Sequence, residues 1–219
     1  MRSIRLIRNW LLDILFPPLC FGCGQYHKDH LCADCWQKIA INTSPFCPVC
    51  QNRLPYNKKV CHPNAKYLLA AATDYRSELI KRLIQDLKYN FLTSAIVPIK
   101  RILDQYFNNL TIKQFNHFIV VAIPISKLRS RERGFNQAEM IAQYVAEKLN
   151  LELANGNLIK IKETAKQSEA KDWPERRKNM TGCFALKNPE KLKGERILLI
   201  DDVFTSGATM GEAVRVLNA

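Results

Sequence analysis

Apolar residues recur along this chain in two distinct periods. Leu79, Ile80, Leu83, Ile84 and Leu87 fall at the three- and four-residue spacing that lines one face of a helix. Ile96, Ile99, Leu103 and Phe107 repeat that spacing and predict a second helix. Ile141, Val145 and Leu149 predict a third over Asn136–Leu149. Other runs are apolar throughout and of strand length: Tyr67–Ala72, His117–Pro124 (HFIVVAIP) and Arg196–Asp201. Gly211–Leu217 reads as the helix after the last of these. Continuously apolar strands alternating with helices predict an α/β fold, its parallel sheet covered on both faces. Ligands of such sheets bind beyond the carboxyl ends of the strands. That rule points to the residues after Val121 and after Ile200. No internal repeat or low-complexity stretch interrupts the pattern.

Residues 18–64 follow neither period. Seven of the eight cysteines lie between positions 20 and 61. Cys20/Cys23, Cys32/Cys35 and Cys47/Cys50 each have two residues between them, so both thiolates of a pair can reach one ion from a tight turn. Four such ligands complete the tetrahedral shell of structural zinc. Cys20, Cys23, Cys32 and Cys35 make one full set. Cys47, Cys50 and Cys61 supply three ligands of a second, with His62 the candidate fourth. Ligation by adjacent residues strains the geometry, which argues against His62. Pairing can also be interleaved, with Cys20 and Cys23 sharing an ion with Cys47 and Cys50. A disulfide scaffold needs an oxidising compartment and has no secretion signal to support it. An iron–sulfur cluster is a weaker alternative. So few apolar residues lie between the ligands that metal binding would supply much of this module's folding free energy. Cys183 stands apart, beside Phe184, and is expected to be a buried core thiol.

No run of 18 apolar residues is present, so no transmembrane helix is expected. MRSIRLIRNWLLDILF at the start is basic and then apolar, but Asp13 breaks it and Phe16-Pro17-Pro18 offers no cleavage site. It is expected to form a basic amphipathic helix that docks on the protein rather than on a membrane surface, in a cytoplasmic protein. The three expected units are this helix at 1–17, a cysteine-rich zinc-binding module at 18–64, and an α/β domain at 65–219. Net charge is +13. That sign suits phosphate-rich ligands, and does not choose between a phosphorylated sugar and a nucleic acid.

The densest chemistry follows the last predicted strand, in Ile197-Leu198-Leu199-Ile200-Asp201-Asp202-Val203-Phe204-Thr205-Ser206-Gly207-Ala208-Thr209. Two carboxylates end a buried strand, and a hydroxyl-rich loop leads into a helix. A helix N-terminus binds anions through its unpaired N–H groups. Thr205, Ser206 and Thr209 add hydroxyl donors, and Gly207 allows close backbone approach. Paired carboxylates accept hydrogen bonds from a sugar diol or hold hydrated magnesium. A P-loop ATPase needs GxxxxGK followed by Ser or Thr, and none of the eight glycines begins one. Upstream, KLRSRER places Lys127, Arg129, Arg131 and Arg133 at alternating positions, as on a solvated strand edge or loop. Arg129 and Arg133 are the choices for gripping pyrophosphate, because a guanidinium can hold two oxygens at once.

The 197–209 segment resembles the 5-phosphoribosyl-pyrophosphate (PRPP) signature of type I phosphoribosyltransferases. Pro124-Ile125 with Arg129, then Arg133-Gly134-Phe135-Asn136-Gln137, resembles the RGFNQ signature of the ComF/GntX family. Thr164, Gln167, Arg176, Asn179 and Phe184 resemble its following basic segment, and Phe16–Cys20 its FPPxC lead into the CxxC pairs. The resemblance covers nearly the whole chain. It implies a type I phosphoribosyltransferase fold behind a double zinc ribbon, with Asp201 and Asp202 on the ribose hydroxyls and Thr205–Thr209 on the 5-phosphate. The implied PRPP site comprises Asp201, Asp202, Val203, Thr205, Ser206, Gly207, Ala208, Thr209, Arg129 and Arg133. Asp201, Asp202 and Arg133 are its expected catalytic residues, working with Mg2+. Implied partners are PRPP or another phosphorylated ribose, single-stranded DNA and competence proteins. The family has a fourth CxxC where this chain has Cys61-His62-Pro63-Asn64, and a final strand beyond the point where this chain stops.

Overall fold

The computed structural model describes residues 17–55, 60–90, 92–110, 117–163 and 180–219. The N-terminal helix expected over 1–17, and Thr164, Gln167, Arg176 and Asn179, fall almost wholly outside these. The described helices are α1 (Ala33–Trp36), α2 (Glu78–Tyr89), α3 (Ile96–Asn108), α4 (Lys127–Arg133), α5 (Gln137–Leu149) and α6 (Ala208–Leu217). The strands are β1 (Phe118–Ala122), β2 (Glu152–Leu153), β3 (Leu158–Lys160), β4 (Phe184–Leu186) and β5 (Arg196–Ile200).

β1 is the centre of a three-stranded sheet of order β2-β1-β5, parallel throughout, with Phe118 opposite Arg196 and Ala122 opposite Ile200. Its FIVVA sequence is buried from Val120 to Ala122. β-branched side chains suit such a position because they pack on both pleated faces. Two cores enclose the sheet, and α5 serves both. Its Ile141 and Val145 pack with Leu83, Leu87 and Ile102 of α2 and α3. Its Ala138, Ala142 and Ala146, spaced by four, lie with Val120 and Val121 of β1. Small residues on one stripe let the helix approach the strand closely, while the larger ones fill the space toward α2 and α3. The α/β class, the parallel sheet and the preceding cysteine module are all present, and the arrangement is consistent with a phosphoribosyltransferase-like fold. Cys183 is a core thiol, 1% exposed.

Three local expectations are corrected. Tyr67–Ala72 is not a strand: Leu69 and Thr73 make isolated bridges to Phe46 and Ile41 of the cysteine module. Leucine and alanine lack the β-branched packing that would favour a place in the sheet. α6 begins three residues earlier than Gly211, because Gly207, at φ 72°, ends the loop in a left-handed turn. The KLRSRER segment is a helix rather than a strand edge. Ser126 caps it by accepting from the Arg129 N–H at 3.4 Å, and Gly134 closes it at φ 74°. A Ser cap eight residues before a C-terminal glycine was the signal to read. The antiparallel β3–β4 pair has no periodic signal, being three residues a side.

Candidate functional site

Two tight turns and a one-turn helix assemble the cysteines. Gly24, at φ 76°, closes the Cys20–Cys23 turn by donating its N–H to the Cys20 carbonyl at 2.9 Å. Helix α1 starts after Cys32 and carries Cys35 inward. The Cys20, Cys23, Cys32 and Cys35 sulfurs come together, as do the ligand atoms of Cys47, Cys50, Cys61 and His62, each set within 4.8 Å of one another. Pairing is therefore sequential, not interleaved. In the first set Cys32 Sγ lies 3.7 Å from Cys20 Sγ and 3.8 Å from Cys23 Sγ. A zinc tetrahedron with bonds of about 2.3 Å has edges of about 3.8 Å, so the donors fit the ion.

The objection to His62 does not hold. Its Nδ1 lies 3.2 Å from Cys61 Sγ and 3.5 Å from Cys47 Sγ, and Cys50 Sγ lies 3.4 Å from Cys61 Sγ. Nδ1 is the ring nitrogen nearer the backbone, so adjacent residues can both reach one point. Within each set the thiols split: against burial, backbone N–H groups lower Cys20 to about 6 and Cys47 to about 5, and other members are raised. Neighbouring Cys47 and Cys50 push Cys61 up to about 11. Burial pushes Cys35 up to about 12. A dication reverses this by favouring every thiolate at once.

The second site lies at the carboxyl ends of β1 and β5. Asp201 is half-buried. Burial, then the neighbouring Asp202, pushes its carboxyl up to about 8, against the pull of Lys88. Asp202 is paired with Lys88 Nζ of α2 at 2.8 Å. The pair thus favours a proton on Asp201 and sets an ammonium against Asp202. Beyond it, Thr205 is exposed, Ser206 is buried, and Gly207 leads into the first turn of α6. The Ser206 hydroxyl accepts from the Ala208 N–H at 3.4 Å. A Cβ on Gly207 would lie 2.9 Å from the Phe204 ring and 3.6 Å from the Tyr67 hydroxyl. The turn opens on solvent at Thr205 and is walled behind by two aromatic rings.

Arg129 and Arg133, four residues apart, share a face of α4. They meet different partners. The Arg133 guanidinium lies 5.3 Å from the Tyr89 ring centre and donates to Gln137 Oε1 at 3.2 Å. Arg129 lies on the side of Lys160 and Glu163, whose charges it feels. Lys160, on β3, was not anticipated. Burial, then Arg129, lowers its pKa, while Glu163 and Asp201 oppose that. A lysine on an aperiodic three-residue strand offers a sequence reader no signal.

The RGFNQ segment has a structural account. Asn136 caps α5 through the Ala138 N–H and donates to the Ile123 carbonyl at 3.0 Å. Gln137, fully buried, donates to the Leu87 carbonyl at 3.3 Å. The turn therefore fastens the end of β1 to the end of α2, where Lys88 reaches Asp202.

Residues 11–64 match the double zinc ribbon domain. Across 90% of its length the chain is 26% identical to competence protein F of Haemophilus influenzae, covering 90% of that protein. It is 27% identical to competence protein ComFC of Bacillus subtilis over 86% of this chain and 78% of that one. The chain is similar to the competence proteins F and ComFC along most of its length. It is also 26% identical to the DNA utilization protein YhgH of Salmonella typhimurium, over 92% of its own length and 91% of the relative's. The similarities run through ribbon and α/β region alike, and the two four-donor clusters mark the ribbon as a structural zinc module. None of the described helices is long and apolar enough to cross a membrane.

Proposed function

We propose that this ComF-like protein binds PRPP at the Asp201–Thr209 turn and serves the handling of incoming DNA in natural transformation. The observation that carries the reading is the pairing of Asp202 with Lys88 beside a raised Asp201. Both sit at the end of a parallel strand, directly before a glycine-turned helix N-terminus. In this reading Asp201 and Asp202 accept from the ribose hydroxyls. Thr205, Ser206 and the N–H groups at the start of α6 hold the 5-phosphate. The two carboxylates match the number that magnesium takes from protein when phosphates supply its other ligands, so Asp201 and Asp202 would hold that ion. It would supply charge stabilisation to departing pyrophosphate. Ribosyl transfer would break the bond from C1 to the pyrophosphate oxygen. Arg129, with Lys160 behind it, would face the negative charge that grows there, and the acidic pair the positive charge on the ring.

Calorimetric titration of PRPP with Mg2+ tests this reading. Saturable binding by wild type, abolished in Asp201→Ala/Asp202→Ala, is the expected result. No binding by a zinc-replete wild type ends it.

A second reading, single-stranded DNA binding, is favoured by cation–aromatic pairs outside the turn. Arg101 lies 4.0 Å from the Trp36 ring centre and Lys100 4.9 Å from that of Tyr144. Such pairs combine phosphate attraction with stacking faces. Titration of single-stranded DNA at two salt concentrations should give steeply salt-dependent binding, and absence of binding at low salt removes this role.

A further inference from the structure

The two zinc turns share a backbone shape but differ in the residue that closes it. Each runs Cys-x-x-Cys and then a residue whose N–H closes the turn on the first cysteine's carbonyl. In the first turn that residue is Gly24, at φ 76°. In the second it is Gln51, at φ 57°, with its N–H 2.8 Å from the Cys47 carbonyl. Glycine takes this left-handed conformation freely, whereas a residue with a Cβ is strained there. Strain held at one place in a fold points to a function for the side chain that holds it. Gln51 is exposed and contributes nothing to either core. Its Nε2 donates to the Thr205 carbonyl at 3.3 Å, across 154 positions of sequence.

The same part of the ribbon touches the turn a second time. Phe46 and Leu69 exchange two backbone hydrogen bonds, of 2.7 and 3.2 Å. That pairing carries the segment holding Tyr67 to its place beside Gly207. One end of the Thr205–Gly207 turn is therefore held by Gln51 and the other is backed by Tyr67. Both belong to the second metal cluster's surroundings. No contact of this kind runs from the first cluster to the turn among the hydrogen bonds of the described residues.

We infer that Gln51 is a positioning residue for the phosphate turn, through which metal at Cys47, Cys50, Cys61 and His62 sets that turn's geometry. The Thr205 carbonyl, held outward by the Gln51 amide, leaves the following N–H groups facing the anion. Without the second zinc the Cys47–Gln51 turn keeps only its backbone hydrogen bonds against the strain at Gln51, and the hold on Thr205 weakens. Zinc at the first cluster does not act on the turn. The anion in question is the PRPP 5-phosphate, so the ligand arm of this inference rests on the reading above, while the mechanical arm does not.

The test uses the full chain carrying two zinc ions, with PRPP and Mg2+ as the probe. Gln51→Gly removes the donor and the strain together. It should keep both zinc ions and an unfolding temperature at or above wild type. Yet amides of 203–209 should exchange several-fold faster, and PRPP should bind about three-fold more weakly, the range for one exposed neutral hydrogen bond. Gln51→Glu, of the same shape but without the donor, should loosen the turn likewise, and Gln51→Lys, which restores a donor of similar reach, should return exchange toward wild type. His62→Ala should speed exchange over 203–209, and Cys23→Ser should not. Unchanged exchange over 203–209 in Gln51→Gly and Gln51→Glu overturns the inference. If exchange responds while wild type fails to bind PRPP, the coupling stands and the PRPP reading falls.

Discussion

Gly207→Ala is the sharpest probe of the proposed phosphate turn. Gly207 is at φ 72°, where a side chain costs about 1–2 kcal/mol. The new Cβ would also lie 2.9 Å from Phe204 Cζ and 3.2 Å from its Cε2. That ring must move, and forced repacking of this kind costs roughly 1–3 kcal/mol. Phe204 cannot swing freely toward Tyr67, which already lies against the same glycine. Together these predict a loss of about 2–5 kcal/mol, read by urea unfolding of the zinc-loaded protein at constant slope. Alternatively the turn rearranges to avoid the overlap, and then PRPP affinity falls instead. Urea unfolding and calorimetry on one preparation separate the two forms of cost. A Gly207→Ala protein that keeps its unfolding midpoint and also binds PRPP as wild type does would refute the described turn.

Four further outcomes are expected. Gly22→Ala would place a Cβ 2.5 Å from Cys35 Sγ, so zinc per chain should fall from two to one by atomic absorption. His62→Ala should also leave one zinc, and two retained ions would show that His62 is not a ligand. Glu212, which accepts from the Gly182 N–H at 2.6 Å and pairs with Arg215, should cost about 1–3 kcal/mol when changed to Ala, because the N–H is left without its acceptor. Asp201 has its pKa raised to about 8, so the folded state holds a proton that the unfolded chain gives up from about pH 4. Stability therefore falls as pH rises from about 4 to 8, and Asp201→Asn should gain on wild type in melting temperature across that window. A gap that does not widen with pH would contradict the assignment.

Much of the α/β region was legible because its signals are local. Leu83 and Leu87 are buried at the spacing that predicted them, and HFIVVAIP forms the central strand. What escaped notice was set by partners distant in sequence. Tyr67–Ala72 has strand-like hydropathy but finds Phe46 and Asn42 of the ribbon, and no periodicity encodes that choice. The charged alternation of KLRSRER suggested an extended edge, while Ser126 and Gly134 on either side specified a helix. The donor set of the second cluster was visible in composition, but its geometry turned on which nitrogen of His62 faces the thiols. Lys160 gains its position from pairing with Phe184, 24 residues away, across residues 164–179.

In the proposed site the acidic pair would keep a chain of net charge +13 from offering a mere basic patch to an anion. Two adjacent carboxylates at a helix N-terminus would repel a phosphate if both were ionised and bare. Here Lys88 neutralises Asp202 and a proton is favoured on Asp201, so the field in front of α6 stays positive. A bound ribose diol would donate to both carboxylates, favour their ionised forms and drive the proton off. Ligand binding below pH 8 should then release protons, visible as a dependence of calorimetric enthalpy on the ionisation enthalpy of the buffer. An inorganic phosphate, which offers no diol to the carboxylates, should bind at the same turn with far less release. Equal release for the two ligands would mean that Asp201 is not where the sugar sits.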